Sequence, residues 1–504
     1  MEAFSHIPLG APIPDCPHAV SCSLPTMAAV RGYEEKDPEV TRRLATGYPR
    51  FVVHPFAKRL TEALAGRHGL GGRTLWLTSS AKMADALLAH LSAAGIQGAA
   101  PFAQSAVHGV SHGPSAEAAR IAKLYLQNIG GFMSSREAED RLAELGLGPV
   151  PGAEELFKSD AAAEIRRVLR PLFAGAGDAD LILSNCGMNA VHAAFRAVSE
   201  VQAKRGRTAW VQLGWLYLDT IALLKNHTPG KSDYIHVAQV TAIDALRRVL
   251  EEQGHRIAGI MAEIPTNPLV QTPDVREMAA LCRRHGVMLV LDPSLVSSYS
   301  VDCLPYADLI CTSLTKYTAS DGDIIAGLVA VNPAAPDAKA LRAAALAAVE
   351  KPYARDMARL AAQIGHTPDV LARIEESTPK VAAFLSSHPA VRSVHWALEP
   401  SSRESYLRIA RSPGATGGII SFSVRGPLEA FYDRLRLPKG PSFGMRTTLI
   451  CPFMFLAHYD LVTTDEGRAQ LRANGLDPNL LRLCVGTEPS DEIIGVLAEA
   501  LDGL

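Results

Sequence analysis

The chain has 504 residues, too many for one compact core, so two or three packed units are expected, each able to bury a sizeable apolar interior. Its 50 basic and 52 acidic residues leave a formal charge of -2, which excludes the basic face that nucleic acid or an anionic membrane surface would need. The eight cysteines are scattered without a Cys-x-x-Cys pair and sit mostly in apolar runs, so no metal site is expected. With no basic, apolar leader and no span of about 18 apolar residues, the expectation is a cytoplasmic protein with neither membrane nor nucleic-acid partners.

Residues 1 to 50 carry Pro8, Pro12, Pro14, Pro17 and Pro25 and read as an extended arm lying across another surface. From 55 to 150 the pattern is mostly helical, with helices expected over 58–66, 80–94, 115–127 and 135–145 and N-caps at Ser115 and Ser135. Within this stretch Gly109-Val110-Ser111-His112-Gly113 matches the nucleophile elbow of hydrolases, but residues 101–108 show no clear strand before it, and chance accounts for the match. Glycines and prolines around 146–152 mark a boundary, so an arm with a helical extension is expected over 1–152.

From 155 onward short apolar runs alternate with helices. Strands are expected at 179–184, 208–213, 257–264, 287–291, 309–312 and 322–331, with helices opening at Gly187 and spanning 242–253 and 275–285. Such alternation implies a mainly parallel sheet covered on both faces, with ligands at the carboxyl ends of its strands. A second set of strands, at 418–424 and 481–485, comes with helices at 427–436 and 491–501. The division expected is an α/β unit over 153–370 and a smaller C-terminal α+β unit over 371–504.

The chemistry concentrates at strand ends. The strand at 309–312 runs into Ser313-Leu314-Thr315-Lys316-Tyr317, where a lysine among hydroxyls can hold an aldehyde cofactor as a Schiff base while Ser313 and Thr315 donate to its phosphate. The strand before it ends in Asp292, a carboxylate suited to a pyridinium nitrogen. Either residue alone is more often a solvated charge or a turn residue, and the pairing is what carries weight. A rival reading takes Ser313-Leu314-Thr315-Lys316 as the Ser-x-x-Lys of acyl enzymes, with Ser313 as nucleophile; that motif opens a helix, whereas a strand precedes it here. Gly187-Met188 at a helix start offers backbone N–H groups for a phosphate. Asn267 lies between two prolines in a loop after a strand, either as a turn residue or as an amide approaching the cofactor ring. Arg482 interrupts an apolar run, so it holds an internal ion pair or a substrate carboxylate.

Taken together, these residues resemble the cystathionine γ-synthase-like family of Cys/Met-metabolism enzymes. The resemblance rests on Tyr48-Pro49-Arg50, Gly187-Met188, the run from Glu263 to Leu269, Asp292 with Ser313 to Tyr317, and Ser442 to Gly444 with Leu481 to Gly486. The arm (Pro17-His18-Ala19-Val20-Ser21, then Gly32-Tyr33-Glu34-Glu35) and the segment 67–150 are similar to the long fungal cystathionine γ-synthases.

The resemblance implies the aspartate-aminotransferase-like fold, known as type I of the pyridoxal-phosphate transferases. It implies pyridoxal 5'-phosphate held by Lys316, with Asp292 at the pyridine nitrogen and Ser313, Thr315, Gly187 and Met188 at the phosphate. Tyr48 and Arg50 would reach the phosphate of a neighbouring subunit, implying a homodimer or homotetramer with shared active sites. Arg482, Ser442 and Asn267 would hold the α-carboxylate of an amino-acid substrate. Leu213 stands where the family places a ring-stacking tyrosine, which passes that task to Trp215 or Tyr217. Pro293-Ser294 and Pro441 also depart from the family pattern. The activity implied is γ-replacement on an O-acyl-homoserine by cysteine or another sulfur nucleophile, in transsulfuration or methionine biosynthesis. The same residues serve a lyase that splits cystathionine or methionine, and a non-catalytic member of the family is the alternative from another class.

Overall fold

The computed structural model describes residues 4–47 and 52–504. In the arm, β1 (Pro12–Ile13) pairs with β2 (Ser21–Cys22), and Thr26 caps a helix over Met27–Glu34 by accepting from Ala29 N. The arm is thus only partly extended. Its helix docks on the C-terminal part of the chain, where Met27 N donates to Asp433 Oδ1 at 2.7 Å and Tyr432 Oη donates to Leu24 O at 3.0 Å.

The extension contains the four expected helices, at Pro55–Arg67, Ala81–Ala93, Ala116–Ile129 and Ser135–Glu144. Ser115 caps the third, but the fourth is capped by Ser134 rather than Ser135. The extension also holds a sheet that the reading of the sequence lacked: β3 (Thr74–Thr78), β4 (Ala100–Gln104) and β5 (Val107–His112), antiparallel in the order β3-β5-β4. These strands lack clean alternation. β4 carries Pro101, tolerated because β4 is an edge strand, and central β5 contains Gly109, whose added Cβ would lie 2.2 Å from Trp76 O. The Gly-Val-Ser-His-Gly run is therefore mostly strand, and no elbow forms.

The main sheet has seven strands: β6 (Leu181–Ser184), β7 (Ala209–Leu213), β8 (Tyr234–Val237), β9 (Ile257–Glu263), β10 (Met288–Asp292), β11 (Leu309–Ser313) and β12 (Gly327–Val331). Their order is β6-β12-β11-β10-β9-β7-β8, parallel except for β12, which runs antiparallel to β6 and β11. Strands β9 to β12 are almost wholly buried and correspondingly rich in Val, Ile and Leu. Apolar clusters fill both faces, one around Leu246, Met278 and Ile374 and the other around Ala194, Val198 and Leu341.

The C-terminal sheet consists of β13 (Val391–Trp396), β14 (Ile419–Val424), β15 (Leu449–Pro452) and β16 (Leu481–Cys484). It is antiparallel, in the order β13-β14-β16-β15. Arg482 lies on β16, an inner strand, with Ser421 and Cys451 as its register partners. The mainly parallel α/β sheet and the smaller α+β unit match the expected fold class. Among the described residues no helix is long and apolar enough to cross a membrane.

Candidate active site

Three neighbouring parallel strands end in polar residues at the same edge of the main sheet: β9 in Glu263, β10 in Asp292 and β11 in Ser313. Asp292 and Glu263 are register partners. They open into a cavity of about 630 Å³ whose walls also include Gly187, Met188, Tyr217, Asn267, Lys316 and Arg482. Its outer part is lined by the extension, through Trp76, Ser79, Met133 and Glu137.

Lys316 follows β11 in a tight turn, helped by Tyr317 at φ 57°, whose N–H donates to Gly444 O at 2.7 Å. The lysine is buried, and its Nζ donates to Ser442 Oγ at 2.6 Å and lies 4.9 Å from the centre of the Phe443 ring. Burial, assisted by the Arg482 charge, lowers its pKa from 10.5 to about 7. An amine in that state is neutral often enough to act as a nucleophile or a base.

Asp292 accepts two hydrogen bonds from Ser294, one from its N–H at 2.8 Å and one from its hydroxyl at 2.5 Å. The Ser294 hydroxyl also accepts from Ser313 N at 2.8 Å, tying the ends of β10 and β11 together. Burial raises the pKa of Asp292 to about 6 against the opposing pull of Ser294. Beside it, burial and the charge of Asp292 push Glu263 well above the ordinary carboxylate range. The sequence motifs contain Glu263, Ser294 and Phe443 without assigning any of them a role, although Glu263 carries the same signal as Asp292, a carboxylate ending an apolar strand.

The helix Gly187–Ala203 points its N-terminus at this group, and a Cβ added to Gly187 would lie 2.7 Å from Ser313 Cβ. Glycine is required there for the helix end to approach the Ser313 side chain. The Ser313 hydroxyl is buried and has no hydrogen-bond partner among the described residues. A phosphate supplies the partners that such a hydroxyl and the N–H groups of a helix start lack.

Arg482 is clamped between Phe443 and Phe453, its guanidinium carbon 4.8 and 4.7 Å from their ring centres. Its Nη1 donates to Asn267 Oδ1 at 3.1 Å and its Nη2 to Ser442 O at 3.3 Å, while Nε is buried without a partner among the described residues. Ser442, at φ 96°, is held in a region unfavourable to a residue with a Cβ. That serine bridges the two cations, its hydroxyl to Lys316 and its carbonyl to Arg482.

Two of the expected cofactor residues are placed elsewhere. The Thr315 hydroxyl accepts from Ala326 N at 3.1 Å and the residue does not line the cavity, because the returning segment before β12 captures it. Trp215 donates from Nε1 to His458 Nε2 at 2.8 Å and packs against the C-terminal part, so of the two aromatic candidates only Tyr217 lines the cavity. Leu213 is buried in the core of the main sheet. Tyr48 and Arg50 lie outside the described residues.

An orphaned hydroxyl at a glycine-opened helix start, a carboxylate at the neighbouring strand end and a buried amine lining the same cavity fit pyridoxal phosphate. Lys316 would hold its aldehyde carbon, Asp292 its ring nitrogen, and Ser313 with the Gly187 and Met188 amides its phosphate.

Comparisons with known proteins agree. The model of the family described as Cys/Met metabolism PLP-dependent enzyme matches residues 168–502. The chain is 40% identical over 493 residues to an L-2-amino-4-chloropent-4-enoate dechlorinase/desaturase of Streptantibioticus cattleyicolor, covering 98% of each chain. It is 27% identical over 615 aligned positions to the cystathionine gamma-synthase of Neurospora crassa, again covering 98% of each. Among solved structures, the fold is similar to cystathionine gamma-lyase from Lactobacillus plantarum (TM-score 0.58, 19% identity, 72% of this chain and 95% of that one). It is also similar to cystathionine gamma synthase from Xanthomonas oryzae (TM-score 0.57, 22% identity, 71% and 93%). The chain belongs to the Cys/Met-metabolism family of pyridoxal-phosphate-dependent enzymes.

Proposed function

We propose that this enzyme removes a γ-substituent from an L-amino acid, and that its substrate is 2-amino-4-chloropent-4-enoate or a close γ-chloro-alkenyl analogue. The observation that carries the reaction class is the Lys316 amine, with its pKa lowered to about 7 and held at 2.6 Å by Ser442, beside the clamped Arg482 guanidinium. The full-length likeness to the Streptantibioticus protein directs the choice of leaving group to chloride.

Arg482 holds the substrate carboxylate through its Nε, which lacks a partner among the described residues, and through its Nη groups, which orients Cα toward Lys316. Bound pyridoxal phosphate supplies an electron sink for the charge that develops at Cα. Lys316 takes the Cα proton and then works at Cβ, and Ser442 keeps its amine aimed between them. Asp292 keeps the ring nitrogen charged. Phe443, Phe453 and Leu456 give the side chain an apolar wall, which suits a neutral chloroalkenyl group. Loss of chloride together with one proton leaves a product with one further unsaturation. On the reading from the family, Tyr48 and Arg50 complete the phosphate site of a second subunit, making the working form at least a dimer.

A second reading, γ-replacement on an O-acyl-homoserine by cysteine, is favoured by the full-length likeness to the Neurospora enzyme. The holoenzyme separates the two when given 2-amino-4-chloropent-4-enoate, O-acetyl-homoserine with cysteine, or cystathionine alone. Chloride release from the first without cystathionine from the second is expected. Cystathionine formation without chloride release overturns the first reading, and cleavage of cystathionine alone makes the enzyme a lyase.

A further inference from the structure

Glu263 has no part in the chemistry above, yet it is 6% exposed and sits at the floor of the cavity next to Asp292. A buried carboxyl in such a place either closes two loops or serves the site. Its two oxygens each take a backbone N–H from a different loop. Oε1 accepts from Tyr217 N at 2.5 Å, in the segment after β7, and Oε2 accepts from Asn267 N at 3.2 Å, in the segment after β9. Asn267 continues the chain of contacts, because its Oδ1 accepts from Arg482 Nη1 at 3.1 Å.

We infer that Glu263 is a positioning residue for the substrate carboxylate: by holding the backbone of Asn267 it aims Arg482, and by holding Tyr217 it fixes part of the wall of the same cavity. The inference rests on the reading of Arg482 as the carboxylate-binding group. Rotation of the Arg482 head is limited on its faces by Phe443 and Phe453 and along its edge by Asn267 and Ser442. Two of these restraints lead back to the main sheet, one through Ser442 to Lys316 after β11 and one through Asn267 to Glu263 at the end of β9. The one through Asn267 ends beside Asp292 on β10 and so helps set the distance between that carboxylate and the carboxylate-binding donor on the C-terminal sheet.

The charge pattern agrees with this role. Burial and Asp292 both disfavour an anionic Glu263, and two buried carboxylates side by side do not both ionise readily. A neutral Glu263 still accepts both N–H groups and leaves the negative charge on Asp292. A neutral amide of the same shape therefore keeps part of the function, with one acceptor in place of two.

The test compares binding of L-norvaline with binding of butylamine, the same chain without its carboxylate, to holoenzyme, followed by the change in cofactor absorbance. Glu263→Ala is expected to weaken norvaline about tenfold while leaving butylamine within about twofold, the size of one lost hydrogen bond to a charged group. Glu263→Gln is expected to fall between Glu263→Ala and the unmodified enzyme. Arg482→Ala serves as the control for the underlying reading and should abolish the preference for norvaline. If Arg482→Ala removes that preference and neither Glu263 variant does, the inference about Glu263 is wrong while Arg482 keeps its role. If Arg482→Ala leaves the preference intact, the reading of Arg482 itself fails. Equal weakening of both ligands in the Glu263 variants marks a residue that merely closes two loops, and overturns the inference; Glu263→Gln carries the comparison if Glu263→Ala does not fold.

Discussion

Replacing Lys316 by Met should make the protein without cofactor more stable while abolishing its chemistry. A lysine whose pKa drops from 10.5 to about 7 resists being charged in the folded state by on the order of 5 kcal/mol, at about 1.36 kcal/mol per pKa unit. The sign follows from proton binding. Between pH 7 and about 10.5 the unfolded chain holds the lysine proton and the folded chain has released it, so this term destabilises the fold increasingly as pH falls toward 7 and is constant below. Methionine matches the stem of lysine and carries no charge, but it forfeits the hydrogen bond to Ser442, worth about 1 kcal/mol. The net gain is therefore on the order of 4 kcal/mol at pH 7, fading to nothing near pH 10 and turning into a loss of about 1 kcal/mol above about pH 10.5, where only the missing hydrogen bond remains. Urea unfolding of the two cofactor-free proteins, at equal protomer concentration and at pH 7 and pH 10, measures it. A Lys316→Met protein no more stable than the parent at pH 7, or a gain that does not shrink at pH 10, refutes the reasoning.

Gly187→Ala should release cofactor at least about tenfold more readily in dialysis followed by absorbance, because the new methyl group would stand 2.7 Å from Ser313 Cβ and displace the helix end from the phosphate; unchanged retention would contradict the cradle. Thr315→Val should cost about 1–2 kcal/mol of stability through the lost bond to Ala326 N, with cofactor affinity within about twofold, whereas a large loss of cofactor would return Thr315 to the phosphate. Arg136 is 1% exposed and paired with Glu154, Asp323 and Asp356, so Arg136→Met should cost about 3–5 kcal/mol by stranding their charges. That loss should deepen as pH rises above about 4, since the pKa of Asp356, already raised by burial, climbs further without its guanidinium partner; equal loss at pH 5 and pH 8 would show that charge is not the cause.

The main sheet was legible in the sequence because β9, β10 and β11 are short apolar runs that stop at a polar residue, the mark of a buried parallel strand ending at a site. The strands that escaped notice lack that mark. β8 is a four-residue edge strand with two positions only partly buried and one exposed, and β15 ends in a proline. β3, β4 and β5 are held by pairing with one another more than by their own composition.

The site divides in the same way. Lys316, Asp292, Gly187 and Arg482 declare themselves because each places a charge or a glycine where the local pattern asks for something else. Trp215 and Tyr217 are two positions apart in one loop, and nothing local says which faces the cavity; His458, more than 200 residues away, settles it by accepting the indole N–H. Thr315 and Ser313 flank a single residue, yet one hydroxyl goes to Ala326 and the other stays in the cradle. By itself the sequence determined the class of fold and singled out Lys316 and Asp292, since strand periodicity and misplaced charges are local properties. Only the tertiary structure decided which neighbours share those charges. The Glu263 to Asn267 to Arg482 chain and the Ser442 bridge join side chains as many as 215 positions apart, and hydrogen-bond partners at that separation are chosen by packing.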